Sequence, residues 1–391
     1  MRTNNIFNAA QISKNNEFYA VREELHKEIP YYAKEFKDKI VFCNCNDGLH
    51  MGFVNYFKEF YDKFGLKLLI YSEYGEGDAN GKLYKYDGEN TETLDLLEKG
   101  DFSKGLCLDM LDVCDIVVTG PPYSLFSKFV SLLFEHNKKF LIIGDIMHSS
   151  LSDVFSYIKN GQMWSGISQP IEFLVPDDYN DSTVFIAKDG SRRCKLGKEV
   201  WYTNMEPAIK KPFIKFSCKY DKKKYKTCDN IDAIYIDDTR HIPSGYNGLM
   251  CVSCGFIRKF SRDQFELISC VVPYFEGERK VTRLIVKRKP SNCGRPKRTD
   301  KEKKEYIEKV HYLLYLNSNF DKTKKIHNIL CSFYETCGGI DEEYSFCIKN
   351  ARDLGFGYKK ICELPLPQEI DFDLVDFGLG FLKGYNMYDN S

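Results

Sequence analysis

The chain reads as an α/β protein: a doubly wound, mostly parallel sheet, then a mixed second module and a helical C-terminal extension. Three observations lead there. Short apolar runs recur between stretches of helical period, at 39–44 (KIVFCN), 67–71 (KLLIY), 115–118 (DIVV) and 139–144 (KFLIIG). The runs are apolar throughout rather than alternating, which is how strands covered on both faces read. The first two end in polar clusters, and the third ends in Gly120-Pro121-Pro122-Tyr123. In open α/β sheets ligands bind at the carboxyl ends of the strands.

Residues 14–38 are amphipathic, with Phe18, Val21, Leu25 and Ile29 at helical spacing and Pro30 interrupting. The strand at Lys39–Asn44 ends in Asn44-Cys45-Asn46-Asp47-Gly48, a helix is expected over Phe53–Phe64, and the strand at Lys67–Tyr71 ends in Ser72-Glu73. The Gly- and Asp-rich stretch 75–90 reads as a loop or excursion. Asp101-Phe102 precedes a short helix at Leu106–Leu111. The strand from Asp115 stops in two prolines, which leaves its last backbone groups unpaired at the sheet edge. Leu125, Phe129, Leu132 and Leu133 mark the next helix and Lys139–Gly144 the next strand. After Met163 the runs become short and β-like: Glu172–Val175, Thr183–Ala187, Val200–Thr203, Ala233–Ile236 and Thr282–Lys287. Ser291–Lys304 is the best linker candidate, and helical periodicity returns around Tyr306, Val310, Leu313 and Leu314.

At 391 residues the chain is too long for one small core, so two or three domains are expected. Lys plus Arg and Asp plus Glu both number 56, so any basic surface must be local. The absence of a long apolar run predicts a soluble, cytoplasmic protein without a membrane anchor. The 15 Cys do not read as a disulfide scaffold, since Cys43, Cys114 and Cys270 sit inside apolar runs. Cys251 and Cys254 form a lone CxxC with no second pair at zinc-ribbon spacing, so no metal is expected.

Three polar tips in sequence order point to an adenosine-containing cofactor. Asn44–Gly48 offers side-chain acceptors, and Glu73 stands where a doubly wound nucleotide site holds ribose hydroxyls. Asp101 pairs an acceptor for an exocyclic amine with the stacking ring of Phe102. The alternative for each acid is a helix cap or a solvated turn. The Pro-Pro-Tyr tip suggests the chemistry. A carbonyl accepting from an aromatic amine favours a more tetrahedral nitrogen, whose lone pair can attack an electrophilic methyl. An aromatic residue two places on can stack on a base taken out of its duplex. Here the alternative is a Pro-Pro turn with Tyr123 packed in the core.

The sequence resembles the EcoRI-type family of adenine-specific DNA methyltransferases. The matching segments include KNNEFYAV (14–21), VFCNCND (41–47), GDFS (100–103), DIVVTGPPYSLF (115–126), KFLIIGDI (139–146) and FSYIKNGQMWSG (155–166). VPDDY (175–179), WYTNM (201–205), DNIDAI (229–234), IPSGYNG (242–248) and TRLIVKRK (282–289) continue in the family's order. The resemblance implies a Rossmann-like domain at 1–205 that uses S-adenosylmethionine and a target-recognition region at 206–289. A basic linker (290–304) and an accessory region (305–391) would follow. It implies that Phe18 closes over the methionine end of the cofactor and that Asn44, Cys45, Asn46 and Asp47 line it. Glu73 would hold ribose, Asp101 and Phe102 the adenine ring, and Pro121 and Tyr123 the target adenine of double-stranded DNA.

One departure stands out. The family begins the Pro-Pro motif with Asn, and this chain has Gly120. Losing one preorganised contact to the transition state costs roughly 10²–10³ in rate. Three accounts stay open: Thr119, Asp145 or water substitutes; catalysis is lost while binding is kept; or the position was altered deliberately. Asn46, where the family more often has Asp, is a milder departure. The expected function is adenine-N6 methylation in restriction–modification or phage DNA protection; the alternative is a methyltransferase-fold DNA-binding protein without turnover. Methylation of RNA or of a protein amide is a third reading. Lys210-Lys211, Lys215, Lys219 and Lys222–Lys224, interleaved with Phe213, Phe216, Tyr220 and Tyr225, suit phosphate contacts with stacking. They read equally as a solvated face over core aromatics. Gly294-Arg295-Pro296 is similar to the core of a minor-groove AT-hook.

Overall fold

The computed structural model describes residues 19–289, except 47–50, 76, 77, 176, 178, 210 and 212. Phe18, Asp47, the basic linker and the C-terminal helical expectation lie outside the described residues.

The chain enters through β1 (Tyr19–Ala20), α1 (Arg22–Glu28) and α2 (Ala33–Phe36), then forms β2 (Ile40–Asn46), α3 (Gly52–Glu59), α4 (Tyr61–Phe64) and β3 (Leu68–Glu73). A hairpin of β4 (Lys82–Tyr86) and β5 (Thr91–Asp95) follows, then α5 (Gly105–Val113), β6 (Ile116–Thr119), α6 (Phe126–Glu135) and β7 (Lys139–Asp145). Next come α7 (Ser152–Lys159), β8 (Trp164–Ser165), β9 (Glu172–Leu174), β10 (Val184–Ile186), β11 (Arg192–Lys195) and β12 (Glu199–Thr203).

Eight of these strands make one sheet in the order β5-β4-β3-β2-β6-β7-β12-β8. Its centre is parallel, because β2 pairs in parallel with β3 and β6, and β6 with β7. The flanks are antiparallel on both sides, at β3–β4–β5 and at β7–β12–β8. With three parallel pairings and four antiparallel ones, the sheet is mixed, and the expectation of a mostly parallel sheet is corrected. Much of the excess comes from the 75–90 stretch, which is not merely a loop: β4 begins in it and returns along β3. β5 is the edge strand and β4, paired on both sides, is largely uncovered on its faces, with Leu83 alone fully buried.

Both faces of the centre are covered, as the apolar runs imply. Val41 and Cys43 pack with Phe53, Val54 and Phe57 of α3. Phe42, Ile70, Val117 and Ile142 point the other way, onto Cys107, Leu111, Phe129 and Leu133 of α5 and α6. That alternation within one run is the period-2 geometry of a strand, not a helix.

A second sheet of four strands runs Ala233–Tyr235, Leu249–Ser253, Arg283–Arg288, Phe265–Val271. Met250, Val252, Leu267, Leu284 and Val286 join the cluster that holds Val154 and Ile158 of α7. The 233–288 region therefore shares its core with the α5–α7 face of the main sheet. Among the described residues, no helix is long and apolar enough to cross a membrane.

Candidate active site

The carboxyl ends of β3, β2, β6 and β7 lie side by side along one sheet edge, and the predicted tips meet there. Asn46 stands opposite Glu73 in the β2–β3 register. The Thr119 hydroxyl, fully buried at the end of β6, donates to the Asn44 carbonyl. A β-carbon built on Gly120 would meet Phe53 Cε2, from the helix that follows the Asn44 tip, at 3.8 Å.

The β2 tip is strained and underpaired. The β2–β3 register slips between Cys43 and Asn46, and Cys45 takes φ 62°, a left-handed conformation that non-glycine residues pay about 1–2 kcal/mol to adopt. Strain of this kind concentrates at ligand sites. Asn44 is fully buried, and its Nδ2 has no hydrogen-bond partner among the described residues. A buried amide without an acceptor is costly and calls for a partner, which a polar ligand at this tip would supply. Burial, then Cys107 and Asp101, push the Cys45 thiol up.

The other predicted cofactor residues are partly engaged. Glu73 Oε2 accepts from the Tyr84 hydroxyl at 2.7 Å. Asp101 Oδ1 accepts from the Ser103 backbone N–H (2.9 Å) and hydroxyl (2.8 Å), and Lys104 Nζ lies 3.4 Å from Oδ2. Burial raises the Asp101 carboxyl, but Ser103 and Lys104 outweigh it and hold it below the ordinary carboxylate value. Phe102 is only 6% exposed, edge-on to Phe129 at 4.9 Å and with Lys128 Nζ 5.7 Å from its ring centre, which leaves little ring surface for a ligand.

At the Gly120 tip, Pro121 is buried, Pro122 exposed and Tyr123 half-buried. Burial, with Glu199 and Asp145 nearby, pushes the Tyr123 hydroxyl well above its ordinary value. Asp145 and Glu199 are direct partners across the β7–β12 pairing. Asp145 Oδ1 is already used, accepting from Met147 N at 2.6 Å.

His148 belongs to this site and carries no signal as a catalytic motif. What the sequence does hold is Asp145 three residues before it, the spacing of a capping box, which the two residues form. Its ring stacks on Phe126 at 4.2 Å and stands edge-on to Tyr123 at 5.3 Å. Burial lowers its ordinary 6.5 to about 4, with a hydrogen bond to the Tyr123 backbone opposing. Between those values the unfolded chain takes up a proton that the folded chain refuses, so folding stability falls as pH drops from 6.5 toward 4. The loss reaches about 3 kcal/mol. Urea unfolding of the protein and of His148→Gln at pH 7 and 4.5 measures it: the variant should lose less, and equal losses would exclude His148 as the source.

The basic-aromatic stretch divides. Phe216 and Tyr225 pack inward, Phe216 against Phe265 at 6.1 Å, while Tyr220 is 38% exposed beside the exposed Lys222–Lys224. Cys251 and Cys254 are buried, and among the described residues no group of three or more His, Cys, Asp or Glu could hold a metal ion.

Residues 6–319 match the EcoRI family of adenine-specific methyltransferases. The chain belongs to this family. It is 35% identical over 290 residues to the type II methyltransferase M.MgeORF184P of Mycoplasma genitalium, spanning 72% of this chain and 91% of that protein. Against the type II methyltransferase M.EcoRI of Escherichia coli it is also 35% identical over 290 residues, 68% of this chain and 89% of the other. The type II methyltransferase M.MpnI of Mycoplasma pneumoniae is 34% identical over 277 residues, 68% of this chain and 86% of that protein. No solved structure matches the chain. As a member of an adenine-specific DNA methyltransferase family, the protein takes its methyl group from S-adenosylmethionine. The strained Cys45 and the orphaned Asn44 amide fit a cofactor seated at the β2 tip.

Proposed function

We propose that this chain extrudes an adenine from double-stranded DNA and methylates its N6, in restriction–modification or phage DNA protection. The observation that carries the reading is the room beside Gly120 on the same sheet edge as the Asn44 amide, which has no partner among the described residues. The four parallel strands with helices on both faces serve as the doubly wound methyltransferase core. When bound, S-adenosylmethionine supplies the electrophilic methyl group. The chain supplies position and electrostatics. The Pro121 carbonyl accepts from the target amine, Pro122 fixes the bend, and the Tyr123 ring stacks on the extruded base. Asn44, Cys45 and Asn46, with Asp47 and Phe18 on the strength of the family resemblance, line the cofactor. Glu73 holds ribose through Oε1, since Oε2 serves Tyr84. Asp101 is left with Oδ2 for the adenine amine, and Phe102 flanks the ring from the core. In this reading residues 1–205 carry catalysis, 206–289 read the DNA through Tyr220 and Lys222–Lys224, and 290–304 and 305–391 are a basic linker and an accessory region.

Labelled-methyl transfer to varied duplexes tests it, with N6-methyladenine mapped in DNA from expressing cells. If neither this chain nor Gly120→Asn labels DNA or binds the cofactor, the reading falls. The second reading, DNA binding with impaired turnover, draws support from Gly120 itself. Thr119 is fully buried, its hydroxyl donating to the Asn44 carbonyl, and Asp145 Oδ1 serves its cap, which leaves Asp145 Oδ2 as the acceptor to test.

Asn44→Ala separates cofactor binding from folding. It removes a buried donor that lacks a partner among the described residues, so the cofactor-free protein should melt no lower than the parent. The hydrogen bond to the cofactor is lost, so affinity for S-adenosylmethionine should drop about tenfold to a hundredfold. Calorimetric titration measures this, and unchanged affinity would remove Asn44 from the site.

A further inference from the structure

We propose that His148 is a positioning residue for methyl transfer, clamping the Tyr123 backbone and ring to the end of β7 so that the extruded base meets a fixed stacking partner. This rests on the reading of Pro121–Tyr123 as the base-holding segment.

The segment needs an outside anchor. Pro121 and Pro122 have no backbone N–H, so the turn out of β6 is tied within itself only by Leu125 N–H to the Pro122 carbonyl and Phe126 N–H to the Tyr123 carbonyl, both from the helix side. His148 supplies the tie from the neighbouring strand. Its Nδ1 accepts from the Asp145 backbone N–H at 3.1 Å, which fixes the neutral tautomer with the proton on Nε2. Its remaining ring nitrogen, Nε2–H, lies toward the Tyr123 backbone, where the carbonyl is the group it can donate to. The ring is held on one face by Phe126, 4.2 Å away and inclined 19°, and meets Tyr123 at 90°. At 9% exposure it has little freedom to leave.

Gly144 makes room for this arrangement. A β-carbon there would stand 2.8 Å from His148 Nδ1 and 2.4 Å from Phe126 Cε2, so the slot exists only because the residue is glycine. The Asp145 carboxylate, capping Met147 N, holds the turn that presents His148. Tyr123 is thus referenced to β7, the strand paired with its own β6, rather than to solvent.

The two ring nitrogens can be tested separately. A Gln amide reaches where Nε2–H stands and can still donate to the Tyr123 carbonyl. An Asn amide reproduces the Nδ1 side, accepting from Asp145 N–H, but falls short of Tyr123. Single-turnover methyl transfer, melting temperature and cofactor affinity are measured for His148→Gln, His148→Asn and Tyr123→Ala, in the parent and in Gly120→Asn. Misplacing a reacting group by about 1 Å costs on the order of 10²-fold in rate. The expected result is a loss of that order in His148→Asn, with His148→Gln within a few-fold of the parent and cofactor affinity unchanged in both. If Tyr123→Ala is slow but both His148 variants match the parent, the clamp is overturned and the base-holding reading stands. If Gln and Asn are equally slow and melt equally low, His148 is structural only, and the proposal is likewise overturned. If Tyr123→Ala is as fast as the parent, the base-holding reading fails and the clamp with it.

Discussion

Gly120→Asn is expected to raise the single-turnover rate of methyl transfer roughly 10²-fold or more. The argument is geometric before it is chemical. A β-carbon at this position meets nothing nearer than Phe53 Cε2 at 3.8 Å, which is ordinary contact. The backbone there is outside the left-handed region, and Pro121 restricts the residue before it to extended conformations that Asn readily adopts. The glycine is therefore not required by the fold. An Asn carbonyl would join the Pro121 carbonyl as the second acceptor on the target amine, in a place where no reorganisation is needed. Thr119, whose hydroxyl donates to the Asn44 carbonyl, is fully buried and so out of reach of an extruded base. If the variant binds cofactor and DNA as the parent does yet transfers methyl no faster, another group already fills the role, and Asp145 Oδ2 becomes the first residue to test.

The contrast between Gly120 and Gly144 shows what a sequence reveals about such a site. Gly120 is conspicuous because it breaks a motif, yet the fold has room for a side chain there. Gly144 is the last residue of an apolar run and draws no attention, yet a side chain there would displace His148 and Phe126. Motif residues are legible because chemistry restricts their type and order. Residues that hold a motif in place are restricted by packing, and packing depends on neighbours remote in sequence. The same reasoning covers the strands. Runs such as 39–44 and 139–144 are apolar because both faces are buried, so they were readable as the sheet's centre. Thr91–Asp95 is the edge strand and Lys82–Tyr86 lies next to it with much of its surface in water, and their charges masked them. The Asp101 turn shows the limit of reading acids at strand tips: its carboxylate serves its own loop as well as any ligand.

The largest stability effect is expected from a residue whose sequence context says nothing. Glu28 lies in a charged amphipathic stretch, where a carboxylate reads as surface, yet it is fully buried. Its Oε1 accepts from the Tyr32 hydroxyl and Ile167 N, both at 2.8 Å, and its Oε2 from Ser168 N at 2.5 Å. Burial raises its carboxyl, with those donors opposing. Close by, burial pushes the Lys211 ammonium down to about 7 while Glu28 pulls it back. Lys211 in turn donates to Ser165 Oγ, which donates to the Ile257 carbonyl at 2.6 Å. One carboxylate thus joins α1, the 165–168 turn and the 211–257 region. Glu28→Ala would leave two part-buried backbone N–H groups and the buried Tyr32 hydroxyl without their acceptor, and the Lys211 ammonium without a nearby counter-charge, a loss of about 3–5 kcal/mol. That is a large share of the roughly 5–15 kcal/mol that stabilises a protein. Glu28→Gln keeps the volume and one acceptor oxygen, so it should lose less than half as much. Because α1 packs on α3, the helix that follows the Asn44 tip, the Ala variant should also bind cofactor more weakly. Urea unfolding gives the comparison, and a loss under about 1 kcal/mol for Glu28→Ala would mean that water satisfies the site and the network is not what ties the three segments together.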